Sequence, residues 1–554
     1  MRALCLIALL IGASVSLYAQ DEDSVSRSGE IRNAEVIIEK ERKLALPAAN
    51  RLFQTSEIKE TTEEPPVIRF NIQAPRVTVP QFVPKFEIRP LEKGNRDQLY
   101  HTEAQVAFGN YLSPLLSITH HQQRDNMTYG AQFFHESFLE GPVRNEESGS
   151  SSTRANAQAS WQLSDAQANL GVRFNRSGFY YYGLSDEAFV SSEDRFITGR
   201  AHIQDFQVSG GITGKAMDNK FSYEITPQFS YVDAGENGSS SFANETDFDL
   251  NSAVDYRIDA NNQVGLEFTG LFSTYESGAS QNRSVLSFEP WYRTRVKVID
   301  FKVGFQANAI SDSSSSTQVG AIMELGIPLG GSWKIEGGID NRIRFNRMLD
   351  LYQQNLYLDD SLSLQTSVVK VPFYGRVRGT VLPNLEVVAG VEIRDIENAH
   401  YFKPSLVDSS RFLLTYDSAS LNVFTYRASL SYTLDPSLQL KAGFRFFDYS
   451  PGSEAEAWYR PTSVFSLEGR KRMGKWLLTG RLKVVDGITA PSPVTSEPVA
   501  LKGFSDLSLK VDYRLGEQAA VYLQAENILN RSYAYYLNYP TRRMAFKAGF
   551  RYRF

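Results

Sequence analysis

The last stretch of the chain, Met544–Phe554, reads MAFKAGFRYRF and alternates between two kinds of side chain. One set is apolar (Met544, Phe546, Ala548, Phe550, Tyr552 and Phe554), and the set between is small or basic (Ala545, Lys547, Gly549, Arg551 and Arg553). A period of two over this length is typical of a β-strand with lipid on one side and a wet lumen on the other. The stretch therefore predicts the closing strand of a transmembrane barrel, with its arginines facing the lumen and Phe554 at the rim.

The composition favours strands that are apolar on one face only. Hydrophobic residues make up 42% of the 554 residues and the mean hydropathy is -0.31, yet the chain has 35 Phe and 28 Tyr. Aromatic residues in a chain of low hydropathy are expected where strands carry aromatic girdles at two membrane interfaces. The net charge of -5 is small for this length and gives no indication of nucleic-acid binding.

Residues 1–19 have the features of a secretory signal peptide. Arg2 is followed by an apolar run from Ala3 to Tyr18 and then by the small residue Ala19. The single cysteine, Cys5, lies inside this run, so we expect no disulfide and no cysteine metal site in the mature chain. No other apolar run approaches the roughly 18 residues of a transmembrane helix. Export together with the terminal strand predicts the outer membrane of a Gram-negative cell.

Residues 20–97 differ from everything that follows them. No glycine occurs from Ile31 to Lys93, and the second half is rich in proline (Pro65, Pro66, Pro75, Pro80, Pro84 and Pro90). Since proline is excluded from central strands, these residues predict an extended, proline-rich periplasmic segment. The alternative is a segment that docks a partner or occludes the barrel.

From residue 98 to residue 554 the chain reads as a succession of alternating strands. We predict about 22 of them, at residues 99–108, 113–123, 127–138, 153–163, 166–176, 198–214, 219–232, 246–257, 262–275, 283–297, 299–311, 315–327, 331–346, 368–381, 384–397, 421–434, 437–449, 458–472, 474–487, 505–516, 519–530 and 543–554. Short turns follow the even-numbered strands, and most long connections follow the odd-numbered ones (139–152, 177–197, 233–245, 347–367, 398–420 and 488–504). This asymmetry predicts an all-β fold, a transmembrane antiparallel β-barrel with short periplasmic turns and long extracellular loops.

The end of the chain resembles TonB-dependent receptors. Residues 525–533, AENILNRSY, are similar to the penultimate-strand motif of that family, with Asn527, Asn530 and Tyr533 at its polar and aromatic positions. Pro540 and Arg542 stand where the family often has Pro-Gly-Arg, with Thr541 in place of the glycine. The resemblance covers residues 98–554 and implies an outer-membrane transport or receptor barrel. The N-terminal plug of that family is not evident in residues 20–97, so energy-coupled import is not implied.

Alternation also predicts which charged side chains face the lumen. The basic ones are Arg342, Arg344, Arg376, Arg378, Arg445, Arg470, Arg481, Lys483, Lys510, Arg514, Lys547, Arg551 and Arg553, and the acidic ones are Glu336, Asp340, Glu468, Asp512 and Glu526. A basic lumen wall would favour anions. The alternative is a cross-strand charge ladder that stabilises the inner surface.

Metal binding and catalysis find less support in the sequence. A hairpin after the first strand would place His101 opposite His120 or His121, with Glu103 on the same strand, so His101, His121 and Glu103 are candidate metal ligands. The alternative is a set of interfacial histidines at strand ends. No nucleophile motif, phosphate-binding loop or pair of carboxylates stands out, so we expect neither an enzyme nor a cofactor.

Two functional hypotheses follow from this fold. A barrel of this size has a lumen that needs filling, by the N-terminal segment, by infolded long loops or by a separate protein. The first hypothesis is a transport or receptor barrel that takes a solute through loops 398–420 and 488–504, with candidate contacts at Tyr180, Tyr181, Tyr182, Tyr352, Tyr357, Tyr401 and Phe402. The second is an accessory subunit of an outer-membrane assembly that recruits a periplasmic or surface protein through residues 20–97. In both, the other partners are outer-membrane lipid and the barrel-assembly machinery, which would recognise Phe546, Phe550, Tyr552 and Phe554.

Overall fold

The computed structural model describes residues 100–183, 200–216, 219–236, 241–313, 315–370, 372–435 and 437–554. The predicted signal peptide and the proline-rich segment 20–97 lie outside the described residues. Within those ranges no helix is long and apolar enough to cross a membrane.

The described residues are mainly β-strand. The strands in chain order are β1 Thr102–Gly109, β2 Leu115–Arg124, β3 Met127–Phe138, β4 Ser150–Gln162, β5 Ala166–Phe179, β6 Ala201–Ala216, β7 Phe221–Glu236, β8 Ser241–Arg257, β9 Asn262–Ser277, β10 Ala279–Val296, β11 Ile299–Ser311, β12 Ser315–Gly330, β13 Trp333–Asp340, β14 Arg342–Phe345, β15 Thr366–Val369, β16 Phe373–Leu382, β17 Leu385–Glu397, β18 His400–Pro404, β19 Phe412–Tyr416, β20 Ser420–Asp435, β21 Leu438–Ser450, β22 Ser463–Met473, β23 Trp476–Asp486, β24 Ile488–Pro491, β25 Pro498–Leu501, β26 Phe504–Arg514, β27 Ala519–Glu526 and β28 Ala545–Arg553. A short 3₁₀-helix spans Asn145–Ser148, and helix α1 spans Met348–Gln354.

The strands form a closed antiparallel barrel of 22 strands, which confirms the predicted fold. The first and last strands close it, because β1 pairs with β28 in a register that sets Val106 opposite Phe550. Backbone hydrogen bonds of 2.9 Å join Thr102 and Phe554 in both directions at the end of this pair. Closure leaves no sheet edge, which is what a strand-built wall in lipid requires.

The two faces of β28 lie as the alternation predicts. Phe546, Phe550 and Tyr552 are exposed on the outer face, whereas Ala545 and Lys547 are buried on the inner face. The outer faces of the other barrel strands also carry large exposed apolar side chains, including Phe108, Phe206, Phe248, Phe288 and Phe305. The barrel therefore presents an apolar surface to lipid and a polar surface to its lumen.

The two rims differ in the length of their connections, as predicted. At one rim, the short-turn rim, Asp125 and Lys297 adopt positive φ of 51° and 57° in tight hairpins, and Gly474 has φ of 57°. Just after the turn at Gly474, Trp476 packs on Tyr513 with ring centroids 4.6 Å apart. At the opposite rim, the long-loop rim, the connections contain α1 and six short strands, β14, β15, β18, β19, β24 and β25.

Several strand boundaries differ from the prediction. The predicted strand 331–346 divides at Asn341 into β13 and β14, and β14 pairs with β15. The strand predicted from residue 458 begins at Ser463, because Trp458 is buried inside a loop. The strand predicted to residue 530 ends at Glu526, because Asn527 and the next asparagine, Asn530, adopt left-handed φ of 47° and 53°.

Candidate functional site: the mouth of the barrel and its lumen wall

The mouth of the barrel at the long-loop rim is filled by the protein's own connections. Five segments contribute, and together they are called the mouth assembly: residues 180–183, 341–370, 398–419, 451–462 and 527–544. Their apolar side chains share one buried core with the upper strands, which includes Met348, Leu351, Leu358, Phe412 and Tyr539. Of the three fillers considered from sequence, infolded long loops are the one that the described residues contain.

Helix α1 supplies one side of this core. Met348, Leu351 and Tyr352 have the spacing of one helix face and are at most 1% exposed. The helix begins at a carboxylate on the barrel wall, since the backbone N–H of Met348 donates to Glu245 Oε2 at 2.6 Å. A carboxylate at this position satisfies a backbone donor that the first turn of a helix leaves free.

Glu245 is the centre of a buried ionic contact. Its carboxylate accepts from Arg283 at 2.7 Å and from the Ser273 hydroxyl at 2.8 Å, besides the Met348 N–H. The side chains of Glu245 and Arg283 are both fully buried. A second pair, Arg347 with Asp249 at 2.7 Å, lies one residue before the helix. These contacts attach segment 341–370 to strands β8 and β10.

Tyrosine hydroxyls join the segments of the mouth assembly to one another. Each donates to a carbonyl on another segment: Tyr181 to Leu358 at 3.1 Å, Tyr182 to Pro540 at 3.2 Å, Tyr536 to Gln354 at 2.7 Å, and Tyr539 to Ser410. The rings of Tyr357 and Tyr539 are stacked at 3.5 Å between centroids. These contacts connect loops that arise on opposite sides of the barrel, so they close its mouth.

Most of the loop aromatics that were expected to contact a solute are buried in the mouth assembly or pack against buried residues. Tyr181, Tyr352, Tyr401 and Phe402 are buried, and Tyr182 and Tyr357 pack against them. Burial raises the pKa of Tyr182, Tyr357 and Tyr539 above the ordinary value, so these hydroxyls stay protonated and remain donors. Tyr180 is half-buried and is not a member of the cluster.

The residues of the penultimate-strand motif fold segment 527–544 back on itself. The side-chain amide of Asn527 donates to the carbonyls of Arg531 at 2.6 Å and Arg542 at 2.9 Å. Asn530 Oδ1 accepts from the Met544 N–H at 3.1 Å. Both asparagines therefore tie the two ends of the segment together, and the residues between them project over the mouth.

The other motif residues attach the same segment to the barrel. Tyr533 stacks on Phe504 with ring centroids 3.9 Å apart. Pro540 provides the carbonyl that accepts a tyrosine hydroxyl from segment 180–183. The guanidinium of Arg542 lies 3.7 Å from the ring centroid of Phe138, at the end of β3. The motif thus positions one part of the mouth assembly.

Most of the predicted basic wall forms cross-strand or local pairs with carboxylates. The pairs are Arg342 with Asp340, Arg376 with Glu336, Arg378 with Glu386, Arg481 with Glu468, Arg551 with Asp512, Arg553 with Glu103, and Lys547 with Glu136. For these residues the geometry is that of a charge ladder along the inner surface.

Six basic residues of the predicted wall have other surroundings. Lys483 donates to the Tyr535 hydroxyl at 2.9 Å, Lys510 lies 4.0 Å from the centroid of a tyrosine ring, and Arg514 donates to a turn carbonyl at 3.1 Å. Arg344, Arg445 and Arg470 are exposed and form no ion pair with any carboxylate of the described residues.

The candidate metal ligands are not assembled into a site. Glu103 lies directly opposite Thr119, and Arg553 pairs with its carboxylate at 2.7 Å. His101 Nδ1 lies 3.2 Å from the main-chain oxygen of His121 and not from its ring. Among the residues that the structure describes, no group of three histidine or carboxylate side chains could hold a metal ion.

Sequence reasoning missed the core of the mouth assembly. Two signals were available within single segments, namely the helical spacing of Met348, Leu351 and Tyr352 and the cluster of tyrosines from Tyr533 to Tyr539. Neither identifies the partner segment, because the stacked tyrosines come from loops far apart in the chain.

The closed wall of 22 strands, with its long-loop rim filled by ordered loops, has the barrel fold of TonB-dependent receptors. The FrpB iron transporter from Neisseria meningitidis is similar with a TM-score of 0.66 and 11% identity, over 83% of this chain and 82% of that chain. The siderophore receptor PirA from Acinetobacter baumannii gives 0.63 and 10%, over 82% and 80%. The ferric-catecholate import receptor Fiu from E. coli gives 0.59 and 11%, over 82% of both chains.

At these identities the likeness concerns the fold. None of the three similar proteins is described as an enzyme. No protein-family model matches the sequence, and a search of curated proteins finds no relative.

Proposed function

We propose that this protein is an outer-membrane transport receptor that takes up a solute at its mouth assembly. The long-loop rim then faces the cell exterior and the short-turn rim faces the periplasm. The observation that carries the proposal is the closure of a wide barrel by its own loops through hydrogen bonds and ring contacts, without a covalent link. Such a closure blocks free diffusion and is able to rearrange when a solute binds.

The similar structures supply a first class of solutes to try. Their descriptions name an iron transporter, a siderophore receptor and a ferric-catecholate import receptor. Ferric complexes are therefore the first compounds of a test panel, together with other solutes that exceed the size of general diffusion pores. The accessory-subunit alternative is not favoured by any contact of the described residues.

The test compares Gram-negative cells that express the full chain with cells that carry an empty vector. Mass spectrometry follows the depletion of each panel solute from the medium, and heat-modifiable migration on gels verifies that the barrel is folded. Depletion of at least one solute by the expressing cells alone supports the proposal.

A deletion of residues 31–90 separates the two hypotheses. A receptor whose uptake or conductance changes on deletion uses that segment in transport. The proposal is refuted if a folded barrel depletes nothing and the deletion only releases a co-purifying periplasmic protein.

A further inference from the structure

A group of arginines on the lumen side of the long-loop rim is not balanced by carboxylates. It consists of Arg342 and Arg344 on β14, Arg394 on β17, Arg427 on β20, Arg445 on β21 and Arg460 in segment 451–462. We call it the arginine cluster. Its carboxylates are Asp340 and Glu392.

Glu392 is shared by two guanidinium groups. Arg394 Nε donates to Glu392 Oε1 at 2.7 Å, and Arg427 donates to Glu392 Oε2 at 2.7 Å. Arg342 Nε donates to Asp340 Oδ2 at 2.7 Å. Both carboxylates of the cluster are therefore already occupied.

The remaining guanidinium groups have no carboxylate partner among the described residues. Arg460 donates to the carbonyl of His400 at 2.8 Å, and Arg445 lies 6.0 Å from the ring centroid of its neighbour Phe447. Arg344 forms neither contact and is exposed to the lumen. In the strand register, Arg427 lies directly opposite Arg445, an arrangement of like charges that destabilises a sheet.

Two neighbouring carboxylates do not neutralise the cluster. Glu454 pairs with Lys403 at 2.8 Å, and Asp417 accepts from backbone N–H groups at Ala419 and Ser453.

Many basic residues elsewhere on the wall have a carboxylate partner. Arg376, Arg481 and Arg551 each have a carboxylate within 4.0 Å. On β11 Lys302 lies within 3.8 Å of three glutamates, Glu267 among them. The cluster differs from these ladders because two of its arginines, Arg427 and Arg445, face each other across neighbouring strands.

We propose that Arg344, Arg445 and Arg460, together with the guanidinium groups on Glu392, form a binding site for a polyanionic solute that bears carboxylate or phosphate groups. The planar fork of a guanidinium matches the two oxygens of such groups. A bound polyanion also relieves the repulsion between Arg427 and Arg445. The proposal rests on the proposed transport function in one respect, since it makes this site an intermediate binding site for the solute on the lumen side of the mouth assembly.

The test measures citrate binding to the purified full chain in detergent by calorimetry, at low and at high salt, with glycerol as the uncharged probe. We expect saturable citrate binding that weakens with salt, and no glycerol binding. The double variant Arg344→Gln/Arg445→Gln is expected to weaken citrate binding at least tenfold. Neither side chain has a carboxylate partner, so the barrel should still fold.

The matched control is Arg378→Gln/Arg481→Gln, which removes the same charge from two exposed lumen ladders. We expect less than a twofold change in this control. An equal loss in both double variants would overturn the site in favour of a diffuse charge effect, and so would the absence of citrate binding to a folded wild-type barrel. Inorganic pyrophosphate in place of citrate tests whether phosphate oxygens are accepted as well.

The two proposals fail in different ways. Citrate binding that depends on Arg344 and Arg445, in a protein whose cells deplete no solute, supports the site and refutes transport. Solute depletion that is the same in the wild type and in the Arg344→Gln/Arg445→Gln variant supports transport and refutes an intermediate binding site at the arginine cluster.

Discussion

Replacing Glu245 with leucine should release helix α1 and with it one side of the mouth assembly. The substitution removes the partner of a fully buried guanidinium, Arg283, and leaves the Met348 N–H without its acceptor. Leaving a buried charge unpaired costs about 3–5 kcal/mol. Even about 3 kcal/mol shifts an opening equilibrium by roughly a hundredfold.

Hydrogen exchange followed by mass spectrometry measures this shift, because amide exchange reports local opening. The amides of Met348–Gln354 in the Glu245→Leu variant should exchange about a hundredfold faster than in the wild type. Amides of β12, on the barrel wall, should keep their protection and serve as the internal control. Heat-modifiable migration establishes that the variant barrel has assembled.

A double substitution separates the lost charge partner from the lost volume. Glu245→Leu/Arg283→Met removes both charges, and replacing a buried ion pair with apolar side chains is often close to neutral. Protection of helix α1 should therefore recover most of its wild-type value. Unchanged exchange in folded Glu245→Leu, or equal acceleration in the single and the double variant, would refute the reasoning.

Three further predictions concern the strand end, the motif and pH. Deleting Phe554, or replacing it with Asp, should lower the yield of heat-modifiable barrel several-fold and leave solute binding by the folded fraction intact; normal yield would contradict this. Asn527→Ala should destabilise segment 527–544 by about 3 kcal/mol, since the three hydrogen bonds of its side chain are lost. Limited proteolysis after Arg531 can detect this, with Asn126→Ala in a short turn as the control. Burial and then Arg460 and Arg344 lower the pKa of His400 from 6.5 to about 3, so opening lets the ring bind a proton. The closed mouth should therefore be fully stable above pH 6.5, and below it the equilibrium constant for closure should fall by up to about tenfold per pH unit. The His400→Gln variant should show a smaller pH dependence in the hydrogen exchange of helix α1.

The barrel could be predicted from the sequence because its strands obey a local rule. Alternation assigns each residue to a face, and the phase of short and long connections fixes the strand count without any knowledge of contacts. The boundary errors arise where the backbone departs from that rule, as at Asn527, whose left-handed conformation ends β27. The mouth assembly was out of reach because it depends on contacts between distant loops, such as the stacked rings of Tyr357 and Tyr539.

The lumen charges show most clearly what alternation leaves undetermined. It assigns Arg376 and Arg445 to the same inner face, but only the register between strands tells what lies across from each. Arg376 meets Glu336 on the neighbouring strand, whereas Arg445 meets Arg427. One residue of slippage would exchange every cross-strand partner on the wall, so a basic pattern in the sequence fits a ladder and an anion site equally well. The register makes the distinction, and it places two facing arginines on β20 and β21, beside Arg394 on β17.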